Sequence, residues 1–367
     1  MLLAWYDSLL IATLVGGVLG WAWLMDWCKG PVYAGTERLD GKVCVVTGAN
    51  VGIGKETAKD FVRRGARVIL ACRDVEKAEQ AKLEIIEDTG ITNRVEVMHL
   101  DLSSFKSVRK FASDLCAKEG KLDILVNNAG IAFHPRTMTT DGEEQVMQVN
   151  HLSSFLLTNL LTDLLKAAGS ARVINLSSLA HAWAKDGIQF DDLKWENAKF
   201  DSWQAYGQSK LANILFTREY ARRNSKSGIT VYAVHPGAVS SELGRHYHSK
   251  IPSFLLPVTD KAKLFLKTPA GGAQTTIYCA VEPSLATETG KYYADCTRIA
   301  TSQAALDDKQ AKKLWDVSKD IVGDITPIKP SGTIRDSPIV ETIGTFENVK
   351  TKSDLMEEVQ KFAEGEI

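Results

Sequence analysis

The sequence carries no excess of charge of either sign, because 44 lysine and arginine residues are matched by 45 aspartate and glutamate residues. The net charge of −1 leaves no strongly basic surface for the phosphates of nucleic acid, so we expect no nucleic-acid partner. With 44% hydrophobic and 24% charged residues, the composition is that of a folded globular protein. The 367 residues suffice for two domains, although a doubly wound fold can hold that many in one.

The cysteines lack the spacing of a metal site or of a disulfide framework. None of the six lies in a C-x-x-C pair, so we predict no zinc or other metal site and no disulfide network. They are scattered along the chain at Cys28, Cys44, Cys72, Cys116, Cys279 and Cys296. Isolated cysteines of this kind are typical of the apolar interior of a protein in a reducing compartment.

The N-terminus lacks lysine and arginine but holds a long uncharged run. Leu9 to Met25 is 17 residues long, and as a helix it would span about 26 Å, near the lower limit for crossing a bilayer. Tryptophans cluster at its downstream end, where indole rings favour the lipid headgroups: Trp21, Trp23 and Trp27. We therefore predict a membrane-anchoring segment over residues 1–28.

Two alternatives for this segment are less favoured. A cleaved signal peptide would carry a basic start and a small-x-small cleavage site, and neither is present. The other alternative is a helix buried within the protein. Basic residues follow the segment at Lys29, Arg38 and Lys42, and basic flanks usually stay in the cytosol. The globular part should therefore face the cytosol, after a linker over residues 29–40.

The body of the chain lacks internal repeats and instead alternates two patterns. Short Val/Ile/Leu-rich runs are separated by longer stretches with apolar residues at helical spacing. The runs are KVCVVTG, ARVILACR, RVEVMHLD, LDILVNNAG, ARVINLSS and ITVYAVHPG, with GKYYAD, Gly290 to Asp295, as a candidate seventh. Because both faces of these runs are apolar, we expect parallel strands covered by helices on both sides.

This pattern predicts one α/β domain over residues 41–325, built on a doubly wound (Rossmann) parallel sheet of about seven strands. Two long insertions follow strand ends, over residues 181–203 and 241–268, and loops in that position usually shape a ligand site. The pattern weakens after residue 325, so we treat residues 326–367 as a loosely attached tail.

A glycine-rich turn joins the first predicted strand to the first predicted helix. Gly48, Gly52 and Gly54 lie in TGANVGIG, where residues without side chains allow a dinucleotide pyrophosphate to approach the backbone and the helix N-terminus. A tight strand-to-helix turn without a ligand is the simpler alternative. The position after the first strand of a doubly wound sheet favours a cofactor.

The order of further motifs resembles the short-chain dehydrogenase/reductase family over roughly residues 40–325. The spacing of TGANVGIG is similar to that family's glycine pattern, and NNAG, QVNHLSSF, INLSS, YGQSK and HPG follow in the family's order. Within the family, the segments NLSSLAH, YGQSKLANILFTRE and HPGAVSSELGRH resemble the retinol dehydrogenase group. The resemblance implies a nicotinamide-dependent oxidoreductase with the predicted Rossmann fold.

By this resemblance, the cofactor contacts come from the glycine turn and from the ends of later strands. The residues are Gly48, Asn50, Gly52, Ile53, Gly54, Arg73, Asp101, Asn127, Ala129, Gly130, Tyr206, Lys210, Pro236, Gly237 and Val239. For Asp101, the alternative is that it caps the helix that starts near Ser104.

The end of the second strand bears on which nicotinamide cofactor is used. An aspartate there would bind the ribose hydroxyls of NAD(H), but the family register puts Cys72 at this position, followed by Arg73. A guanidinium can pair with the 2′-phosphate of NADP(H), and Lys55 adds a second positive charge near the glycine turn. Asp74 is expected to cap the next helix. NADP(H) is therefore predicted, with NAD(H) the less favoured alternative.

Tyr206 and Lys210 share one face of a helix that otherwise reads as amphipathic, because they are four residues apart. A tyrosine has a free pKa near 10, and an ammonium at about 4–5 Å would stabilise its phenolate by roughly 3–4 kcal/mol. An isolated Y-x-x-x-K is more often an exposed pair on a helix. The glycine turn and the other motifs favour catalysis here.

The resemblance implies a role for each residue of the catalytic set. Tyr206 would be the general acid/base, and Lys210 would shift its pKa and hold the nicotinamide ribose. Ser178 would bind the substrate oxygen, with Ser177 as the alternative, and Asn150 would anchor a water that carries the proton to solvent. The 28 positions between Ser178 and Tyr206 exceed the family's usual spacing, so the inserted loop should add a wall to the pocket.

We therefore predict a membrane-anchored, NADP(H)-dependent oxidoreductase, in the endoplasmic reticulum membrane, that acts on a lipophilic alcohol or aldehyde, with retinol and retinal as the leading pair. A steroid, a fatty aldehyde or another hydrophobic carbonyl is the alternative substrate. A cofactor-binding scaffold or redox sensor is the non-enzymatic alternative, although Tyr206, Lys210 and Ser178 are all present. Two apolar helical segments would suit a homo-oligomer or packing on the sheet, and both stay open.

Overall fold

The structure is a computed structural model that describes residues 29–240 and 266–333. Its centre is one eight-stranded sheet in the order β3-β2-β1-β4-β5-β6-β7-β8. The strands are β1 Val43–Thr47, β2 Arg67–Cys72, β3 Val95–His99, β4 Ile124–Asn127, β5 Ala171–Leu176, β6 Ile229–His235, β7 Lys291–Ala294 and β8 Thr297–Arg298. The first seven run parallel, and β8 pairs antiparallel with β7.

Helices pack on both faces of this sheet. They are α1 Gly52–Arg63, α2 Val75–Thr89, α3 Phe105–Lys118, α4 Gln145–Met147, α5 Ser153–Leu160, α6 Thr162–Ala167, α7 Ser202–Arg223, α8 Pro269–Val281 and α9 Asp308–Val322. One buried apolar cluster joins the sheet to α1, α2 and α8, and another joins its opposite face to α3, α5, α6, α7 and α9. Strand residues alternate between the two clusters, with Cys44 and Val46 in one and Val45 in the other.

The predicted doubly wound parallel sheet is confirmed, including GKYYAD as the seventh strand. The sequence did not indicate β8, because a two-residue strand is too short to show periodicity. The turn between β7 and β8 consists of Asp295 and Cys296, which have φ values of 48° and 54°. These left-handed backbone angles produce the tight reversal, and few non-glycine residues adopt them.

Local capping explains where several helices begin. Asp74 precedes α2, and its carboxylate accepts a hydrogen bond from the Lys77 backbone N–H at 3.0 Å, so the predicted cap is confirmed. Asp201 caps α7 in the same way through the N–H groups of Trp203 and Gln204. Because Asp201 sits just before the helix, α7 starts at Ser202 and carries both Tyr206 and Lys210.

The sequence pattern of helix α7 indicated an amphipathic helix. In the structure, α7 is instead buried along most of its length. It packs against the sheet on one side and against α9 on another, with Phe216 and Trp315 6.1 Å apart between ring centroids. Helix α5 is fully buried as well. The apolar residues of both helices thus pack in the buried cluster on one face of the sheet. Burial of α7 also removes several of its polar side chains from water, among them Ser209, Lys210 and Asn213.

The linker predicted over residues 29–40 lies on the domain. The Tyr33 backbone N–H donates to Gln274 on α8 at 2.9 Å, and the Tyr33 hydroxyl donates to Glu282 at 3.1 Å. At the other end, Ile328 donates from its backbone to the Leu160 carbonyl at 2.9 Å, although residues after 325 had been expected to attach loosely. Within residues 29–240 and 266–333, no helix has the length and apolar character to cross a membrane. The predicted anchor, most of the second insertion and residues 334–367 lie outside the described residues.

Candidate active site

The glycine turn after β1 exposes the first backbone N–H groups of α1. Gly48 and Gly52 have φ values of 65° and 60°, which glycine adopts without strain. Val51 precedes α1 in an extended conformation and offers no side-chain cap, and no acidic residue lies in the first turn. The N-terminus of α1 is therefore suited to an anion, because its N–H groups and helix dipole are not satisfied by a side chain.

Gly54 lies where only a residue without a side chain fits. A Cβ at this position would be 2.5 Å from both the Gly48 carbonyl oxygen and the Asn128 Nδ2 atom. Asn128 in turn donates from Nδ2 to the Thr47 carbonyl at 2.7 Å, and its backbone N–H donates to Thr47 Oγ1 at 3.0 Å. These contacts fix the turn against the NNAG segment, so the backbone is shaped for the close approach of a pyrophosphate.

Asn128 and Thr47 were not singled out from sequence, although both lie inside the motifs that were. Ala129, predicted as a cofactor contact, also donates its backbone N–H to Thr47 Oγ1, at 3.0 Å. Its Cβ limits the space beside Gly48, where a Cβ would come within 2.9 Å. Gly48 thus lies close to both Gly54 and Ala129, as the prediction of a shared cofactor site requires.

At the end of β2, Cys72 is buried and Arg73 is exposed. Burial raises the pKa of the Cys72 thiol to about 11, so it stays neutral near pH 7. Lys55, expected to add charge beside the glycine turn, instead forms an ion pair with Glu84 on α2 at 2.5 Å. Arg73 is thus exposed at the end of β2, whereas the Lys55 ammonium is paired with a carboxylate.

Two other predicted cofactor residues, Asp101 and Asn127, use their side chains in hydrogen bonds within the protein. Asp101 accepts hydrogen bonds from the backbone and hydroxyl of Ser103 at 2.9 and 2.7 Å, while Ser104 caps α3, so the capping alternative for Asp101 is wrong. Asn127 is buried and donates to Asn175 at 2.8 Å and to Thr158 at 3.0 Å. The Asn127 side chain therefore joins β4 to β5 and α5.

Asn150 lies at an irregular point of the helical segment after α4. Residues Gln148–Leu152 form a π-helical turn, a departure from α-helix that often marks functional sites. The Asn150 side chain accepts from the Ile131 N–H at 2.8 Å and donates to Ser209 Oγ at 2.9 Å. Gly130 lies beside it, where a Cβ would be 3.1 Å from Asn150 Oδ1 and 3.4 Å from Lys210 Nζ. Asn150, Gly130 and Lys210 thus form one cluster.

Ser178 rather than Ser177 reaches Tyr206, the predicted general acid/base. Ser178 follows β5, and its side chain hydrogen-bonds with Tyr206 and accepts from the Ala180 N–H at 3.2 Å. Ser177 points into the core and donates to the Lys210 carbonyl at 2.7 Å. Lys210 Nζ lies 5.5 Å from the centre of the Tyr206 ring and donates to the Leu176 carbonyl at 3.2 Å. The three predicted catalytic side chains therefore meet at the ends of β5 and α7.

Burial opposes the activation of Tyr206 that the sequence predicts. Without cofactor, burial raises the pKa of Tyr206 to about 12, against a smaller lowering by the hydrogen bond from Ser178. Burial also lowers the pKa of Lys210 to about 8, because no carboxylate compensates its charge. The spacing of the motif indicates the attraction between the two groups, but their desolvation depends on packing that the spacing does not specify.

Four aromatic side chains form a closed ring of contacts at this site, which we call the aromatic box: Tyr206, Phe133, Trp203 and Trp183. Successive ring centroids are 5.4, 4.4, 5.1 and 6.4 Å apart around the box. Trp183 and Trp203 are 39% and 45% exposed, whereas Tyr206 is 6% exposed. Tyr206 thus lies at the inner end of an apolar surface that opens to solvent. The sequence predicted that residues 181–203 form one wall of the substrate pocket, but it did not predict the contacts among these four aromatic side chains.

The predicted nicotinamide stretch follows β6. Pro236 and Gly237 lie just after the strand, and Val239 forms a parallel bridge with Lys267. Val239 and Ile53 both lie against helix α8, since a Cβ on Gly272 would be 2.6 Å from Val239 Cγ2 and 3.2 Å from Ile53 Cγ1. Two cofactor residues predicted from distant parts of the chain are thereby brought together.

Comparison with known proteins agrees with this arrangement. The family model described as short chain dehydrogenase matches residues 42–188. Retinol dehydrogenase 12 from Mus musculus is 48% identical over 295 residues, which cover 80% of this chain and 90% of that protein. Among solved structures, an uncharacterised protein from Mycobacterium paratuberculosis is 33% identical, with a TM-score of 0.65 over 82% of this chain and all of that one.

A structure of Pseudomonas aeruginosa RhlG in an active-site complex with NADP is also similar. It is 28% identical, with a TM-score of 0.56 over 70% of this chain and 95% of that chain. The identity and coverage of these relatives show the family, and the glycine turn fits a dinucleotide such as the NADP of the RhlG structure. The chain belongs to the short-chain dehydrogenase/reductase family, in its retinol dehydrogenase-like group, and is an oxidoreductase that uses a nicotinamide dinucleotide.

Proposed function

We propose that the protein interconverts a lipophilic alcohol and its aldehyde or ketone with NADP(H), and that retinol and retinal are its leading substrates. The observation that carries this proposal is the aromatic box, whose inner member is the catalytic tyrosine. A carbonyl group that reaches the Tyr206 hydroxyl would have its attached carbon chain against Phe133, Trp183 and Trp203. Such a surface favours an extended apolar molecule, because aromatic side chains bury much apolar area at low entropic cost.

In the reductive direction, Tyr206 donates its phenolic proton to the substrate oxygen while Ser178 hydrogen-bonds the same oxygen. A nicotinamide held by the stretch of Pro236, Gly237 and Val239 would supply the hydride to the carbonyl carbon, or accept it in the reverse direction. Lys210, in its protonated form, stabilises the phenolate that remains on Tyr206. Asn150 would hold a water beside Lys210, through which the proton on Tyr206 is replenished from solvent.

NADP(H) is the cofactor that the end of β2 favours. The strand lacks a carboxylate at its last position, Cys72, and the next residue is the exposed Arg73. The relative RhlG binds NADP. A guanidinium pairs well with a phosphate dianion, whereas NAD(H) offers this arginine only hydroxyl groups.

Replacing Arg73 by alanine should therefore raise KM for NADPH by about ten- to a hundredfold, the effect of one lost charge-assisted phosphate contact, and leave KM for NADH almost unchanged. Steady-state kinetics with both cofactors measures the ratio. The control is Arg63→Ala, which removes an exposed arginine from the C-terminal end of α1, away from the glycine turn. An equal loss with NADH, or no loss with NADPH, would contradict the assignment.

The membrane segment predicted over residues 1–28 would hold the domain at a bilayer, with the catalytic domain in the cytosol and the endoplasmic reticulum as the membrane. A retinoid partitions into lipid, so an enzyme attached to the bilayer meets its substrate there. Retinol dehydrogenase 12 of the mouse bears the name of this substrate. The alternatives remain a steroid ketone, a fatty aldehyde or another hydrophobic carbonyl.

The test is a substrate panel on membranes that contain the full-length protein. All-trans-retinal, a long-chain fatty aldehyde and a steroid ketone are each offered with NADPH or NADH, and the alcohol product is measured by chromatography. We expect retinal with NADPH to be the most efficient pair. If a steroid ketone or a fatty aldehyde is reduced and retinal is not, the proposed substrate is wrong but the proposed mechanism stands. NADPH binding without turnover of any carbonyl would favour the scaffold or sensor alternative.

A further inference from the structure

Lys267 is buried at the edge of the nicotinamide stretch, with 7% of its surface exposed. Its backbone is tied to that stretch on both sides. The Lys267 N–H donates to the Ala238 carbonyl at 2.8 Å, and the Ser240 N–H donates to the Lys267 carbonyl at 2.9 Å. Residues 238–240 are therefore held as a short parallel bridge, although they lie in a connection rather than in a strand.

The side chain of Lys267 runs between two glycines from distant parts of the chain. A Cβ on Gly237 would lie 2.7 Å from Lys267 Cε, and a Cβ on Gly30 would lie 2.5 Å from Cε and from Nζ. Both glycines have left-handed backbone angles, with φ of 92° and 73°. Gly237 belongs to the predicted nicotinamide stretch and Gly30 to the linker. The Lys267 side chain thus fills a space that exists only because both positions lack side chains.

The charge of Lys267 is compensated at the turn between β7 and β8. Its Nζ atom forms a short ion pair with the Asp295 carboxylate. Asp295 has one of the left-handed backbone angles of this turn, with φ of 48°. A buried ammonium without such a partner would be strongly unfavourable. The pair therefore connects the nicotinamide stretch to the edge of the sheet.

We propose that Lys267 is a positioning residue for the cofactor. Its side chain is paired with Asp295 and packs against both Gly237 and the linker at Gly30, so it holds these two segments in place. The inference rests on the proposed use of a nicotinamide cofactor at this stretch. It predicts that Lys267 affects how well the cofactor binds, while the carbonyl substrate, which meets Tyr206 and the aromatic box, is affected little.

Lys267→Met tests the charge, because methionine can fill much of the space between the glycines but cannot pair with Asp295. In the full-length protein, we expect the Kd and the KM for NADPH to rise about tenfold, the scale of one or two lost hydrogen bonds, and the KM for the carbonyl to stay within twofold. Quenching of protein fluorescence by NADPH gives the Kd directly. Asp295→Asn should weaken NADPH binding as well, and adding Lys267→Met to it should cause no further loss.

Lys42→Met is the matched control, because it breaks the ion pair between Lys42 and the buried carboxylate of Asp123 at 2.9 Å, beside the start of β1. It should lower the melting temperature without changing the Kd for NADPH. If Lys267→Met also lowers only the melting temperature, Lys267 is merely structural and the proposal is wrong. Wild-type protein that binds NADPH but reduces no carbonyl would overturn the proposed function and leave this test intact.

A second pair of variants tests the linker. Gly30→Ala puts a methyl group against Lys267 Nζ, whereas Gly41→Ala has the same backbone strain, with φ of 70°, and no atom within 4 Å of its Cβ. We expect Gly30→Ala to raise the Kd for NADPH several-fold and Gly41→Ala to leave it unchanged. Equal Kd values for the two variants would refute the contact between the linker and the cofactor support.

Discussion

Replacing Tyr206 by phenylalanine is expected to lower the rate of carbonyl reduction by about a thousandfold or more, because the Ser178 hydroxyl, which is proposed to bind the same oxygen, is far less acidic than a phenol and cannot supply the proton. The phenyl ring keeps the contacts of Tyr206 with Phe133 and Trp183, so the aromatic box and the fold should persist. NADPH binding should change by less than a factor of about three, since only the hydroxyl is removed. Single-turnover reduction of retinal, with a separate fluorescence titration of NADPH, distinguishes the chemical step from binding.

Tyr220→Phe is the matched control on the same helix. Tyr220 is also buried, and its hydroxyl forms a hydrogen bond with Thr162 Oγ1 at 2.9 Å, away from the aromatic box. Its loss should lower the free energy of unfolding by about 1 kcal/mol and leave kcat unchanged. A Tyr206→Phe protein that keeps more than a tenth of the wild-type rate would exclude Tyr206 as the proton donor.

Replacing Lys210 by methionine is the second large effect. An ammonium 5.5 Å from the centre of the Tyr206 ring stabilises a phenolate by about 3 kcal/mol at an effective dielectric near 20, so the rate should fall by about 150-fold. Methionine keeps a long unbranched side chain in the buried site, which limits the loss of packing. Presteady-state reduction at saturating NADPH measures this effect apart from cofactor affinity.

The pH dependence separates the charge of Lys210 from its packing. Burial lowers the pKa of Lys210 to about 8, so the ammonium is present below that pH and is lost as the pH rises through it. The wild-type rate of reduction should therefore decline above about pH 8, whereas Lys210→Met should be slow and flat over the same range. Lys210→Arg keeps a charge to beyond pH 12 and should remove the decline. A wild-type rate that is level from pH 7 to pH 10 would contradict the role of this charge.

Much of the fold followed from local patterns. The strand runs, the glycine turn and the cap at Asp74 were predicted because each depends on residues close together in sequence, and the structure confirms all three. The eighth strand was missed because two residues carry no periodicity. The ion pair of Lys55 was not predicted, since its partner Glu84 comes from the next helix and only the packing of α1 on α2 brings the two together.

The candidate site shows the same division between local and long-range information. The order of motifs predicted which residues face the reaction, and the choice of Ser178 over Ser177 agrees with the geometry. The direction of the Asn127 side chain could not be predicted from the motif, because it depends on the hydrogen bond to Asn175 on a neighbouring strand. A motif names a residue but does not say toward which side of the strand its polar atoms point.

By itself, the sequence determined the family, the sheet and the pair Tyr206 and Lys210, because strand periodicity, glycine conformation and helical spacing act over a few residues. Only the tertiary structure decided the protonation of that pair, since desolvation depends on everything packed around α7. It also decided the aromatic box and the position of Lys267 between Gly30 and Gly237. These contacts join residues far apart in the chain, and their energies depend on burial, which no short segment specifies.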